Sequence, residues 1–216
     1  MRNRKRGALI GWIATSLLAW PVAAMGAEPI YQDLVARAEA GDATLDYTAL
    51  RLSYAQSDSY DPYARETADL FSAAWNAFQA KDCVTALAKT QALLKINYVS
   101  IPMHMVRSDC LAQSGDKAGA NRELAIGQGL AHSLLASGDG KSTATAYVVV
   151  TLSEEGFVLS DLGFNKERQS LVRDGDHFYD LLDGHDAKTG EARSALFNVD
   201  ALFVGMARQL TKPAAK

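Results

Sequence analysis

The feature that most limits what this chain can fold into is a change of hydrophobic period at Ser137-Gly138-Asp139-Gly140-Lys141-Ser142-Thr143. Before this stretch apolar residues recur at spacings of three and four, the period of helices that bury one face. After it come a β-branched run, Tyr147-Val148-Val149-Val150-Thr151, and extended segments bounded by turn residues. Helices gathered in one part and strands in the next give an α+β fold rather than an alternating α/β one. We therefore expect a helical layer over 28–137 and a small antiparallel β-sheet with flanking helices over 144–210, packed together as one domain.

Within the helical part, Leu34, Val35 and Ala38 form one stripe that stops at Gly41-Asp42, and a second helix starts near Asp46 carrying Leu50 and Tyr54. Ser57 to Tyr63 reads as a loop, because the residue before Pro62 avoids helical angles. Phe71, Ala74, Trp75 and Phe78 mark the next stripe, and Cys83, Ala86, Leu87, Thr90 and Leu94 the one after it. Ser100 and Pro102 open a helix bearing Met103, Val106 and Cys110, and Asp116 opens one bearing Ala120, Leu124 and Ala131. Four pairs stand 34 residues apart: Gln79 and Gln113, Asp82 and Asp116, Ala86 and Ala120, Ala74 and Ser108. That is the period of tetratricopeptide-type (TPR-like) hairpins, so two such hairpins are expected inside a larger layer. In this register Cys83 begins one helix and Cys110 ends its antiparallel successor, which places the two thiols together for a disulfide; two buried free thiols are the alternative.

In the second part, Ser153 to Leu162 reads as a short helix ended by Gly163. Gln169–Arg173 and His177–Leu182 flank the hairpin signal Asp174-Gly175. A loop over Asp183–Gly190 then leads to a strand over Ala192–Val199. Asp200 caps a last helix holding Leu202, Phe203, Met206 and Leu210.

Ahead of all this stands an address. Arg2, Arg4, Lys5 and Arg6 precede an apolar run from Ala8 to Trp20 and a small-residue region with Ala24, Gly26 and Ala27, the order of a secretory signal peptide over 1–27 with cleavage near those three residues. The apolar run is short for a bilayer span of roughly 20 residues. Its removal takes four of the 22 Lys+Arg and none of the 25 Asp+Glu, leaving a net charge of −7. An acidic chain of this kind is not expected to bind nucleic acid, which needs a basic face, and no membrane span is expected after the signal. The expected location is the periplasm or the exterior of a bacterium, where thiols are oxidised.

Few residues ask for chemistry. The four histidines, His104, His132, His177 and His185, stand in no recognised catalytic or zinc spacing, and the phosphate-loop and nucleophile-elbow motifs are missing. No catalytic residue, metal or cofactor is expected. The acidic stretch Asp174, Asp176, His177, Asp180, Asp183, His185 and Asp186 reads as a solvated hairpin, since alternation sends His177 and Asp180 to opposite faces. Met103 reads as core with His104 on its flank. Glu154-Glu155 reads as a pair favoured by the positive end of a helix. For ligand binding, the groups that a cleft between helices and sheet would offer are Tyr60, Tyr63, His177, Tyr179 and Asp180.

Tyr47 to Tyr63 with its loop Tyr60-Asp61-Pro62-Tyr63, then Gln169-Ser170-Leu171, His177-Phe178-Tyr179-Asp180 and Leu196-Phe197-Asn198-Val199-Asp200, resemble the bacterial family called domain of unknown function 4919. The resemblance covers nearly all of the chain from Glu28 to Leu210 and implies an exported protein built of a helical part followed by a small sheet; it carries no activity and no site residues. It departs from the family at Asp176, where a turn glycine next to His177 is expected. The functional expectation is a non-enzymatic envelope protein that offers its hairpins to a protein or peptide partner; the alternative is a small-ligand binder or enzyme with a pocket between helices and sheet.

Overall fold

The structure, a computed structural model, describes residues 31–211; the expected signal peptide and its cleavage region lie outside them. Among the described residues the chain is α+β, with eight α-helices and a four-stranded mixed sheet. The helical part comprises α1 (Tyr31–Glu39), α2 (Tyr47–Gln56), α3 (Arg65–Gln79), α4 (Cys83–Ile96), α5 (Ile101–Ser114) and α6 (Lys117–Leu135). The second part comprises β1 (Tyr147–Val148), α7 (Leu152–Asp161), β2 (Phe164–Asp174), β3 (His177–Asp186), β4 (Ala192–Asn198) and α8 (Asp200–Thr211).

Aspartates start three of the helices by accepting orphan backbone N–H groups: Asp46 accepts from Thr48 and Ala49, Asp82 from Thr85, and Asp116 from Gly119. Gly115 closes α5 in the left-handed conformation, φ 89°, which glycine adopts without a Cβ clash. Helices α3 to α6 pack each on the next. Ala74, Ala86, Ser108 and Ala120, the small residues spaced by 34, are all buried, and the Ser108 hydroxyl donates to the Ala120 carbonyl at 2.9 Å across the α5–α6 contact. Cys83 and Cys110 form a disulfide with Cα atoms 5.2 Å apart.

The sheet corrects three expectations. It is mixed rather than antiparallel: the order is β1-β4-β3-β2, and β1 pairs with β4 in parallel, Tyr147 opposite Phe197. The reason is topological. The crossover β1–α7–β2 conserves strand direction, and the two hairpin reversals after it return β4 parallel to β1. The hairpin is also longer than expected, since β2 starts at Phe164 and β3 runs on to Asp186, its register opposing Phe164 to Asp186 and Asp174 to His177. Of the expected strand Tyr147–Thr151 only Tyr147–Val148 is strand; Val149 still donates to Asn198, and Val150 turns its N–H to Glu154. One apolar core runs through both parts, with Leu50, Tyr54, Leu93, Ile101, Met103 and Leu130 from the helical layer and Val149, Val150, Val158, Leu182, Phe197 and Leu202 from the second part.

Candidate functional site

Pro62 forbids helix in front of it, and Asp61 Oδ1 accepts the Tyr63 N–H at 3.1 Å, so the chain turns tightly between α2 and α3. This turn roofs a cavity of about 420 Å³. Tyr63, Thr67 and Phe71 line it along the flank of α3, Leu93, Asn97 and Ser100 from the α4–α5 corner, and Thr151, Leu152 and Ser153 from the start of α7. Size and mostly apolar lining with a few polar groups are those of a small-ligand pocket.

The polar groups are the unusual part. Ser100 is 1% exposed and stands at the N-cap of α5 without capping it. Asn97 is 5% exposed, and its Oδ1 accepts from Val99 N–H at 3.2 Å. The Thr67 hydroxyl is buried without a partner. Thr151 does not cap α7, its hydroxyl facing that of Ser153 at 3.0 Å. Whereas α2, α4 and α6 have carboxylate caps, the helix ends at this cavity have none.

Beside the cavity lies a buried carboxyl pair. Burial, then the charge of Asp180 and a hydrogen bond with it, push the Glu155 carboxyl up to about 7, against a smaller opposing pull from Lys166. Asp180 accepts from Gln169 Nε2 at 2.6 Å, and Glu155 Oε1 has no partner. Burial chiefly, and then the charges of Asp180 and Glu155, raise the pKa of Tyr63, which ties this pair to the cavity wall. A carboxyl group near 7 can hold or release a proton at neutral pH.

Of the five expected ligand groups, the structure brings Tyr63 and Asp180 to this region and takes the others elsewhere. Tyr60 is buried rather than presented by its loop: its hydroxyl donates to the Val150 carbonyl at 2.9 Å, and its ring stands edge-on to Tyr54 at 5.2 Å. His177 is exposed at the hairpin turn with Nδ1 2.6 Å from Asp200 Oδ2; that hydrogen bond and the Asp200 charge raise its pKa. Tyr179 stacks its edge toward His177 at 6.5 Å and is otherwise buried. The rest of the acidic stretch is taken up pairwise, Asp183 with Arg168 and Ser194, His185 with Glu167, and Asp186 with Arg193; among the described residues no three such groups converge.

Among the buried polar residues, Arg51 went unread in the sequence, and His104 and Glu154 have partners that the sequence did not show. His104 is not on a flank but fully buried, its Nδ1 2.7 Å from Glu123 Oε2 and its Nε2 2.7 Å from the Tyr98 carbonyl. Burial pushes the Glu123 carboxyl up, but hydrogen bonds from His104 and Arg107 and their charges outweigh it and hold it below the usual range. Arg51, 1% exposed, donates from Nε to Glu154 Oε1 at 2.9 Å, from Nη2 to the Val148 carbonyl at 2.7 Å and from Nη1 to Ser133 at 3.1 Å. Glu154 is therefore an internal counter-ion as well as a helix-start residue, and its Oε2 accepts the Val150 N–H at 2.7 Å. The signal for Arg51 was available: it lies three residues before Tyr54, on the buried side of α2.

The family model described as Domain of unknown function (DUF4919) matches residues 21–204, through both the helical part and the sheet. The chain belongs to this family. No curated protein and no solved structure matches it. For this DUF4919 chain the site rests on its own geometry: a cavity with a buried Thr67 hydroxyl left without a partner among the described residues, flanked by a carboxyl pair that can carry a proton.

Proposed function

We propose that this chain is an exported, non-enzymatic binding protein of the bacterial envelope, periplasmic or secreted, which takes a small molecule or the end of a peptide partner into the cavity between α3, the α4–α5 corner and α7. The observation that carries this reading is the pairing of a roughly 420 Å³ mostly apolar space with a few polar groups in its wall, Ser100 and Asn97 on buried residues and a buried Thr67 hydroxyl that has no partner among the described residues. An unpaired buried polar group costs about 1–3 kcal/mol, and a ligand that pairs with it recovers that cost. The disulfide between Cys83 and Cys110 accords with an oxidising compartment. The buried small residues spaced by 34 support reading α3 to α6 as TPR-like hairpins, with the cavity on their flank.

Two measurements test the proposal. Anilinonaphthalene sulfonate, an apolar fluorescent probe, should brighten with the purified chain. The brightening should vanish in Ala68→Trp, which fills the cavity from the exposed flank of α3; equal brightening in both would place the binding elsewhere and sink the cavity. Cell fractionation should find the chain outside the cytoplasmic membrane, and retention in the cytoplasm would end the envelope reading. The Glu155–Asp180 pair favours a second reading, proton transfer to a ligand at the cavity edge. That reading requires Glu155→Gln to abolish turnover of a ligand without abolishing its binding.

A further inference from the structure

We propose that this chain forms a symmetric dimer through the outer edge of β2. Two copies pair antiparallel over residues 168–174 with Leu171 on the two-fold axis, so that their sheets run on as one. None of the residues that line the cavity lies on this strand.

In the sheet order β1-β4-β3-β2, β2 is outermost, and among the described residues no strand lies on its far side. Such an edge presents a row of unpaired N–H and C=O groups, and proteins ordinarily keep it short or interrupt it. Here β2 runs from Phe164 to Asp174. Its register shift falls between Lys166 and Arg168, which leaves 168–174 regular. Which backbone groups face outward follows from the hairpin. Gly175, φ 61°, begins a two-residue turn that Asp174 and His177 close. Phe178, the next residue, turns its N–H to Asp200 Oδ1 and its carbonyl to the Val199 N–H, away from β2. Its register partner Arg173 therefore makes no ladder bonds to β3, and by alternation neither do Leu171 and Gln169. The N–H and C=O groups of Gln169, Leu171 and Arg173 point to the free edge.

Antiparallel self-pairing must set these three residues against one another, because the groups of Ser170, Val172 and Asp174 are used by β3. With Leu171 opposite its own copy, Gln169 meets Arg173 and Arg168 meets Asp174, each twice by symmetry. Arg168, Ser170, Val172 and Asp174 share a face, so Arg168 and the partner's Asp174 stand side by side in a non-hydrogen-bonded pair, where side chains come closest. Their charges are opposite. Arg168 also reaches Asp183 through Nε and Nη2, and Asp174 Oδ2 accepts from Thr143; a guanidinium has five donors and a carboxylate two oxygens, so both can serve the second contact. On the other face Leu171, 55% exposed, is covered by its copy. Other registers lack this match. Centring the pair on Arg173 sets arginine against arginine, centring it on Gln169 carries Leu171 onto the irregular stretch at Glu167, and the registers between leave Arg168 without Asp174 opposite.

Sedimentation of the purified full chain from micromolar to millimolar concentration should show a shift from the mass of one chain toward that of two. Arg168→Glu alone should abolish the shift, since glutamate then faces Asp174, and Asp174→Arg alone should abolish it, since arginine then faces Arg168. An equimolar mixture of these two variants should restore it, because in the mixed dimer both pairs are again of opposite sign. Positions 168 and 174 lie roughly 20 Å apart along one strand, so no contact within a single chain can produce that rescue. Thermal midpoints of both variants, compared with the unaltered chain, separate loss of the dimer from loss of the fold. A second measurement needs no charge change. The native cysteines are bonded to each other, so Leu171→Cys supplies a free thiol, and it should cross-link to its copy on mild oxidation, a hydrogen-bonded pair holding its Cα atoms about 5.5 Å apart. Arg173→Cys, more than about 13 Å from its copy in this register, should not. A single-chain mass at every concentration, with Leu171→Cys cross-linking no faster than Arg173→Cys, overturns the dimer. A dimer that survives both charge reversals while Leu171→Cys stays uncross-linked overturns this edge as its interface.

Discussion

A carboxyl group kept from water releases its proton less readily, and Glu155 carries that cost into the folded chain. Its pKa rises from an ordinary 4.5 to about 7, through burial first and Asp180 second. Between those values the folded chain keeps a proton that the unfolded chain has released, so Glu155 contributes stability that is full below 4.5 and is lost as the pH rises through about 7. Glu155→Gln keeps the shape and removes the titration. Urea unfolding at pH 5 and pH 8 should show the variant gaining on the unaltered chain by about 2–3 kcal/mol at the higher pH, and parallel pH profiles for the two chains would refute the burial of this charge. At the hairpin the pull is opposite in cause and milder in consequence. His177 is raised by Asp200, so Asp200→Asn should bring its NMR titration midpoint down toward the usual histidine value; an unmoved midpoint would remove the contact. Sequence periodicity placed Asp180 and His177 on opposite faces correctly, because alternation is a property of the strand itself. It did not place Glu155 against Asp180, since that meeting depends on how α7 lies on the sheet.

At the level of elements, legibility followed the strength of the local pattern. Helices α2, α4 and α6 could be started at Asp46, Asp82 and Asp116 because an aspartate cap acts over three residues. Edge strand β2 was half missed: Asn165, Lys166, Glu167 and Arg168 are all exposed, so neither face shows the apolar alternation by which strands are read. The parallel β1–β4 pairing was out of reach, since it is set by a crossover and two reversals rather than by any residue of β1. The Cys83–Cys110 staple is the element-scale feature with the largest separable effect. It joins the start of α4 to the last turns of α5 across a 27-residue separation, and constraining a loop of that length in the unfolded chain contributes about 3–4 kcal/mol. A Cys83→Ser, Cys110→Ser double variant should lose stability of that order in urea at neutral pH. Reduction of the unaltered chain should produce the same loss, and no loss in either would mean that α4 and α5 are held by packing alone.

The whole molecule is joined through its interior rather than through a linker. Arg51 of α2 reaches Glu154 of α7, 103 residues away, and on the way meets Ser133 of α6 and the β1 carbonyl of Val148; Tyr60 holds Val150 from the loop before α3. Each half therefore supplies a partner that the other half cannot leave without burying an unpaired charge. Such a pair adds little over a well-packed apolar replacement, but removing one member costs about 3–5 kcal/mol. Arg51→Ala and Glu154→Ala should each lose stability on that scale, and Arg51→Met with Glu154→Leu together should lose much less than the two single changes summed. The same link predicts how the chain unfolds. Because the core is shared between the parts, amides of α5 and of β3 should lose hydrogen-exchange protection at the same urea concentration, in the unaltered chain and at a lower concentration in Arg51→Ala. If β3 opened while α5 stayed protected, the helical layer would be a separate folding unit and Arg51 a local contact; coincident opening makes the ion pair part of one cooperative domain, with the cavity walled by both of its halves.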